Sequence, residues 1–196
     1  ADSFANGKLA YDIWYSERTG ANGFALSSNT SADNDGGCIA FQAAEAKAIA
    51  SFCSGKIVLG NCDSPVLTFD YYVQPGAKDI LLAEINRAYI DTTIVKTIDV
   101  SKETGATGWR HAVVSLQQFR QAPYIQLAFL AQIAKVGDTM MIDNIRIENN
   151  PALSVNGIIT EKTGCDKVYD LNGIQQNAGN LHKGIYIIGN KKMVLK

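Results

Sequence analysis

From Val66 to Ile147 the chain is a train of short alternating segments, and this repetition leaves few folds open. Val66 to Val73 sets Leu67, Phe69, Tyr71 and Val73 on one face and Thr68, Asp70 and Tyr72 on the other, the period-two signature of a half-buried strand. Asp79 to Asn86 follows Pro75-Gly76, and Thr93 to Val100 follows that. Trp109 to Leu116 begins after Gly105 and Gly108, Tyr124 to Gln132 follows Pro123, and Asp138 to Ile147 closes the set. Lys56 to Leu59 reads as one more short strand. Strand, turn and strand at short spacing with little helix predict an all-β, two-layer antiparallel sandwich.

The closing strand carries an oddity. Read with a period of two, Met141, Asp143, Ile145 and Ile147 share one face, so one carboxylate sits among apolar side chains. A charge there is costly unless it is paired, hydrogen-bonded or bound to a metal. Asn149-Asn150-Pro151 then breaks the pattern. The boundary predicted from it gives a sandwich over 1–149 and a small β unit over 150–196.

Upstream, Ala1 to Ser28 reads as short strands and loops punctuated by Asn-Gly and Thr-Gly pairs. Trp14 within it is read as a core or lid residue rather than a sugar platform, because large aromatics are usually mostly buried. Asp33-Asn34-Asp35-Gly36-Gly37 sets three oxygen-bearing side chains beside two glycines. Calcium takes such hard oxygen ligands, and a plain solvated turn uses the same residues. Ala43 to Ala50 has helix propensity, but strand-like flanks, Ile39-Ala40-Phe41 and Phe52-Cys53, favour two strands joined near Ala44 to Ala46. Cys38, Cys53, Cys62 and Cys165 lack the close pair of a zinc site. They are either small buried thiols or, in an exported chain, the source of one disulfide among the first three.

Several function classes fall away. The net charge of -1 supplies no electrostatic footprint for nucleic acid or an anionic membrane. The apolar runs are too short to span a bilayer. There is no G-x-S-x-G, H-E-x-x-H or phosphate-binding glycine loop. Only His111 and His182 could serve as a histidine base; His111 alternates with Ala112 and Val114 and reads as a surface residue. Glycosidases need paired carboxylates roughly 5–10 Å apart, and the nearest candidates, Asp70 and Glu84, stand on separate strands. No enzyme is expected. Opening on Ala1-Asp2-Ser3, with no leader of its own, suits a mature secreted fragment and a cytosolic protein alike.

Asp2-Ser3-Phe4 with Trp14, Pro65-Val66-Leu67-Thr68-Phe69-Asp70-Tyr71-Tyr72, Gly108-Trp109-Arg110, Val113-Val114-Ser115-Leu116, Ile125-Gln126-Leu127-Ala128-Phe129 and Ile142-Asp143-Asn144-Ile145 occur in that order. Together they resemble the MAM-like, cleaved-adhesin (choice-of-anchor J type) jelly-roll domains of secreted Bacteroidetes proteins, over about residues 1–149. The resemblance implies a jelly-roll sandwich, concanavalin-like or galactose-binding-like. It implies a non-catalytic, secreted or cell-surface module for adhesion or recognition, whose partner is a glycan or a host or cell-surface protein; a protein-interaction scaffold is the alternative. It also implies structural calcium held by Asp33, Asn34 and Asp35 of the early loop and Asp143 of the last strand. For a glycan ligand the aromatic candidates are Tyr15, Tyr72, Tyr89 and Trp109, since exposed rings stack on sugars; core packing is the plain reading of each.

The tail reads as a compact β unit. Val168 to Gly173 is a strand ending in Asn-Gly, a strong hairpin signal; Leu181 to Ile188, Gly189-Asn190 and Lys191 to Lys196 follow. The pattern resembles a short form of the type IX sorting domains that end exported Bacteroidetes proteins. Its few lysines make no nucleic-acid footprint.

Overall fold

The computed structural model describes residues 3–5, 14–19, 23–28, 30–60, 62–150, 168–170, 175–176, 184–188 and 191–195. The chain divides into two compact units, 1–156 and 157–196.

Among the described residues the first unit holds ten strands: β1 (Trp14–Thr19), β2 (Ala25–Ser27), β3 (Cys38–Gln42), β4 (Ala48–Ser54) and β5 (Pro65–Val73), then β6 (Ile80–Arg87), β7 (Asp91–Asp99), β8 (Gly108–Ser115), β9 (Ile125–Ile133) and β10 (Thr139–Asn149). They form two antiparallel five-stranded sheets. Sheet 1 has the order β1-β4-β9-β6-β7 and sheet 2 the order β2-β3-β10-β5-β8. From β3 onward the chain changes sheet at every connection except the β6–β7 hairpin. This is the two-layer sandwich that the alternating pattern predicts, with the jelly-roll connections that the family resemblance implies.

Alternation explains the core. Along β9, Ile125, Leu127, Phe129, Ala131 and Ile133 are buried while Gln126, Ala128, Leu130 and Gln132 are partly exposed. Along β5, Leu67, Phe69, Tyr71 and Val73 point inward. Phe69 and Phe129 meet edge-on between the sheets, with ring centroids 4.9 Å apart. Fully burying one such side chain is worth about 1.5–3 kcal/mol. Trp14 lies flat on Phe52 at 4.9 Å, so it is a core residue, as its size suggests. Phe4 and Phe24 pack on the same phenylalanine.

The alanine-rich stretch is not a helix: residues 43–47 turn the chain and residues 48–50 open a strand. β3 ends at Gln42, β4 starts at Ala48, and Lys47 turns the chain with φ 60°. Propensity loses here because both flanks pair into sheets, β3 with β10 and β4 with β9. Lys56 to Leu59 is not a strand: it makes a single bridge, Ile57 to Ile125. β9 begins at Ile125, and Pro123 just before it has no N–H with which to prolong a ladder.

β10 does not keep the period its sequence suggests. Its register with β5 shifts between Asp143 and Arg146, where Asn144 takes φ 49°. An inserted residue switches the faces of a strand. Met140 and Ile142 are in the core before this bulge and Ile145 after it. Met141 and Asp143 therefore point away from the core, not with Ile145 and Ile147 as simple alternation implies. No disulfide joins Cys38, Cys53 and Cys62.

The second unit contains β11 (Val168–Asp170), β12 (Gln175–Gln176), β13 (Gly184–Ile188) and β14 (Lys191–Leu195) in one antiparallel sheet of order β12-β11-β13-β14. Cys165, Asn172-Gly173, His182 and Gly189-Asn190 lie outside the described residues.

Candidate functional site

The outer face of sheet 1 is built by the residues that alternate with the core. Register places Tyr15, Cys53, Ala128 and Glu84 in one row across β1, β4, β9 and β6. Gln126, Asn86 and Thr92 form the next row. Between them runs a groove of about 250 Å³ with Tyr15 and Tyr89 in its walls. Tyr15 is 44% and Tyr89 69% exposed. The floor offers the carboxylate of Glu84, the amides of Asn86 and Gln126 and the hydroxyl of Thr92. Asn86 Nδ2 donates to Thr92 Oγ1 at 3.1 Å, and Gln126 Nε2 donates to the Ser54 carbonyl at 3.4 Å.

Tyr89 is held in place by its turn. The Ile90 N–H donates to the Arg87 carbonyl at 2.8 Å, and Ala88 and Tyr89 both have positive φ, 49° and 60°. This is the hairpin turn that favours Asn-Gly, occupied here by residues with side chains, at a cost of about 1–2 kcal/mol each. The Asn86 carboxamide oxygen accepts the Tyr89 N–H at 2.9 Å. The Tyr89 ring packs edge-on against Tyr124 at 5.9 Å, and the Lys56 ammonium lies 4.6 Å from the Tyr124 ring centre.

Tyr72 and Trp109 lie elsewhere. They are a cross-strand pair on the outer face of sheet 2, partly buried against each other edge-on at 5.5 Å. Beside them, Asp70 accepts the Asn144 side-chain amide at 2.9 Å and meets the His111 Nδ1 at 2.7 Å. His111 is exposed, as its place in β8 predicts. Asp70 is on the outer face of sheet 2 and Glu84 on that of sheet 1, so these two carboxylates do not converge on one substrate.

The acidic loop meets the last strand. One carboxylate oxygen each from Asp33, Asp35 and Asp143 lie within 4.8 Å of one another. Asp143 is wholly buried, and it is this loop that it faces: its Oδ2 accepts the Ala32 N–H at 2.7 Å and its Oδ1 the Asn144 N–H at 2.7 Å. Burial first, and then the charges of Asp33 and Asp35, push its carboxyl up to about 6 despite those two donors. The loop is shaped by its own short side chains: Asp33 accepts the Asp35 N–H, Ser31 the Gly36 N–H and Asp35 the Gly37 N–H, each at 3.2 Å. Asn34 is exposed at the apex with φ 65°. Among the described residues no lysine or arginine pairs with the three acids. An all-oxygen set with uncompensated charge beside a tight turn fits a hard cation such as calcium.

Sequence reasoning named Tyr15, Tyr89 and the three acids. It weighed Glu84 only as a catalytic carboxylate with Asp70, and it missed the rest of the polar floor, Asn86, Thr92 and Gln126, because ordinary outward-facing strand residues carry no motif. It also missed Asn144 and its amide bond to Asp70.

No family model and no curated protein matches the chain. Solved structures do. The K1 cleaved adhesin domain of Lys-gingipain from Porphyromonas gingivalis W83 superposes with a TM-score of 0.57 at 18% identity, over 76% of this chain and 96% of that one. The K3 cleaved adhesin domain of the same protein gives 0.53 at 15%, over 74% and 96%. TmCBM61, solved in complex with beta-1,4-galactotriose, gives 0.58 at 11%, over 76% and 95%. At these identities the likeness is one of fold: this chain contains a β-sandwich of the kind found in cleaved adhesin domains and carbohydrate-binding modules.

Proposed function

We propose that the first unit is a non-catalytic recognition module that binds a glycan on the outer face of sheet 1. One observation carries this reading: two exposed tyrosines, Tyr15 and Tyr89, border a single groove whose floor is lined by hydrogen-bonding side chains. Sugar rings offer apolar faces that stack on aromatic rings and rims of hydroxyls that need donors and acceptors. The backbone strain at Ala88 and Tyr89 supports it, since strained turns concentrate at functional positions. The neighbours of like fold, one of them solved with a galactotriose, are consistent with it.

Calcium is a structural element of this reading. Asp33 and Asp35 would hold it from the loop and Asp143 from β10, with Asn34 at the loop apex shaping the turn. The bound ion would supply positive charge to three crowded carboxylates and tie the early loop to the last strand. Secretion or surface display, and a sorting role for the tail, belong to the same reading and rest on the sequence resemblance. Among the described residues no helix is long and apolar enough to cross a membrane.

A second reading has its own observation. Ile90 and Ile94 are 72% and 54% exposed on the hairpin that carries Tyr89, which suits a protein partner. A glycan array followed by titration calorimetry separates the two. Binding of an oligosaccharide that is lost in Tyr15→Ala and Tyr89→Ala supports the glycan reading. Release of new reducing ends from a bound polysaccharide would overturn the non-catalytic assignment.

A further inference from the structure

The outer face of sheet 1 has a second concavity at the far end of the same strands. It holds about 220 Å³, and its lining includes Lys47, Ile49, Lys78, Ile80 and residues 132–134. Ile49, Gln132 and Ile80 are one row across β4, β9 and β6. Lys47 immediately precedes β4 and Lys78 lies just before β6, so the lysines stand at the ends of the two strands that flank β9. Among the described residues neither forms an ion pair, and no acid lines the concavity. Two acids close by are engaged elsewhere. Asp79 is buried and accepts the Ala134 N–H at 2.8 Å. Asp99, opposite Ile80, pairs with Lys102 and accepts the Ser101 hydroxyl.

Two ammonium groups, unpaired among the described residues, over a floor of Ile49, Gln132 and Ile80 are complementary to an anion carried on a ring with an apolar face. The tyrosine groove has the opposite character, since among the described residues its one charged lining group is the Glu84 carboxylate. From Cys53 to Ile49, and from Ala128 to Gln132, the two sites are four residues apart along shared strands, about 13 Å at the rise of a β-strand. One extended chain can lie across both.

We propose that the ligand is a mixed glycan, neutral where it meets Tyr15 and Tyr89 and bearing a carboxylate where it meets Lys47 and Lys78. This rests on the reading of the face as a glycan site. The two ends give the chain a direction. A polymer acidic along its whole length is disfavoured, because it sets a carboxylate against Glu84, and such like-charge contacts are how a site rejects the wrong partner.

The test is titration calorimetry with three probes: an aldouronic oligosaccharide, in which a neutral backbone bears one uronate, its carboxyl-reduced counterpart, and a sulfated counterpart. Both lysines are exposed, so the wild-type protein should bind the aldouronic probe about three- to tenfold more tightly than the reduced one, as expected for two exposed ion pairs. Added salt should shrink that preference. The double variant Lys47→Gln with Lys78→Gln should bind both probes alike. Tyr89→Ala should weaken both. Equal binding of acidic and reduced probes, with Tyr89→Ala still weakening both, would overturn the charged subsite and leave the groove standing. Tighter binding of the sulfated probe would overturn the carboxylate in favour of a sulfate ester. Failure of every probe to bind, or a Tyr89→Ala variant that binds as wild type, would overturn the glycan reading itself.

Discussion

Asn144 adopts a left-handed backbone, φ 49°, and donates its side-chain amide to the Asp70 carboxylate across the β10–β5 pair at 2.9 Å. That bond holds the bulge that turns Asp143 out of the core and towards the acidic loop. Removing it should cost more than a surface hydrogen bond. For Asn144→Ala we expect a loss of about 2–3 kcal/mol, combining a hydrogen bond to a charged group with the cost of a left-handed alanine. Asn144→Gly should lose less, because it keeps the conformation. Urea unfolding of the three proteins checks the order.

Asp143 makes stability depend on pH when no ion is bound. Its carboxyl is raised by burial from 3.8 to about 6 in the folded protein. The contribution of this group is therefore full below the unfolded value and is lost as pH rises through about 6, amounting to about 2–3 kcal/mol. In chelator, wild type minus Asp143→Asn should fall in stability between pH 4 and pH 8. A difference that stays flat or rises across that window contradicts the assignment.

Calcium should reverse that loss. At an excess of about 100 times the dissociation constant, a ligand of the folded state adds about 2.7 kcal/mol, so the melting temperature at pH 8 should rise with calcium and fall with chelator. Asp35→Asn should melt at or above wild type in chelator, because one repelling charge is gone, and should not respond to calcium. An unchanged wild-type melting temperature removes calcium from the account.

The β6–β7 turn trades stability for the placement of Tyr89. Ala88→Gly relieves a left-handed alanine and should raise stability by about 0.5–1 kcal/mol. It should also weaken glycan binding by loosening the tyrosine. Melting and calorimetry on one preparation read both effects.

The strands and their order of burial were legible in the sequence because β5, β6, β8 and β9 alternate cleanly and are punctuated by Pro and Gly. That Ala43 to Ala50 joins two strands rather than forming a helix was legible from its flanks alone. The bulge at Asn144 was not, since nothing in Ile142-Asp143-Asn144-Ile145 marks an extra residue except the asparagine's tolerance of left-handed backbone. Single bridges such as Ile57 to Ile125 depend on where a neighbouring strand starts, which local pattern does not encode. The aromatic candidates were legible as a set, but not their division into Tyr15 and Tyr89 on sheet 1 and Tyr72 and Trp109 on sheet 2, because that is set by the order in which strands pair. The lysine pair of the second concavity was invisible for the same reason: Lys47 and Lys78 are far apart in sequence and meet only through β9.

If the outer face of sheet 1 carries recognition, two substitutions on opposite faces of the sandwich separate it from the rest of the fold. With a glycan identified on an array, titration calorimetry should show Tyr89→Ala binding at least about tenfold more weakly, the loss of one anchoring aromatic, and Trp109→Ala binding as wild type. The reverse pattern, affinity lost with Trp109 and kept without Tyr89, would move the binding face to sheet 2.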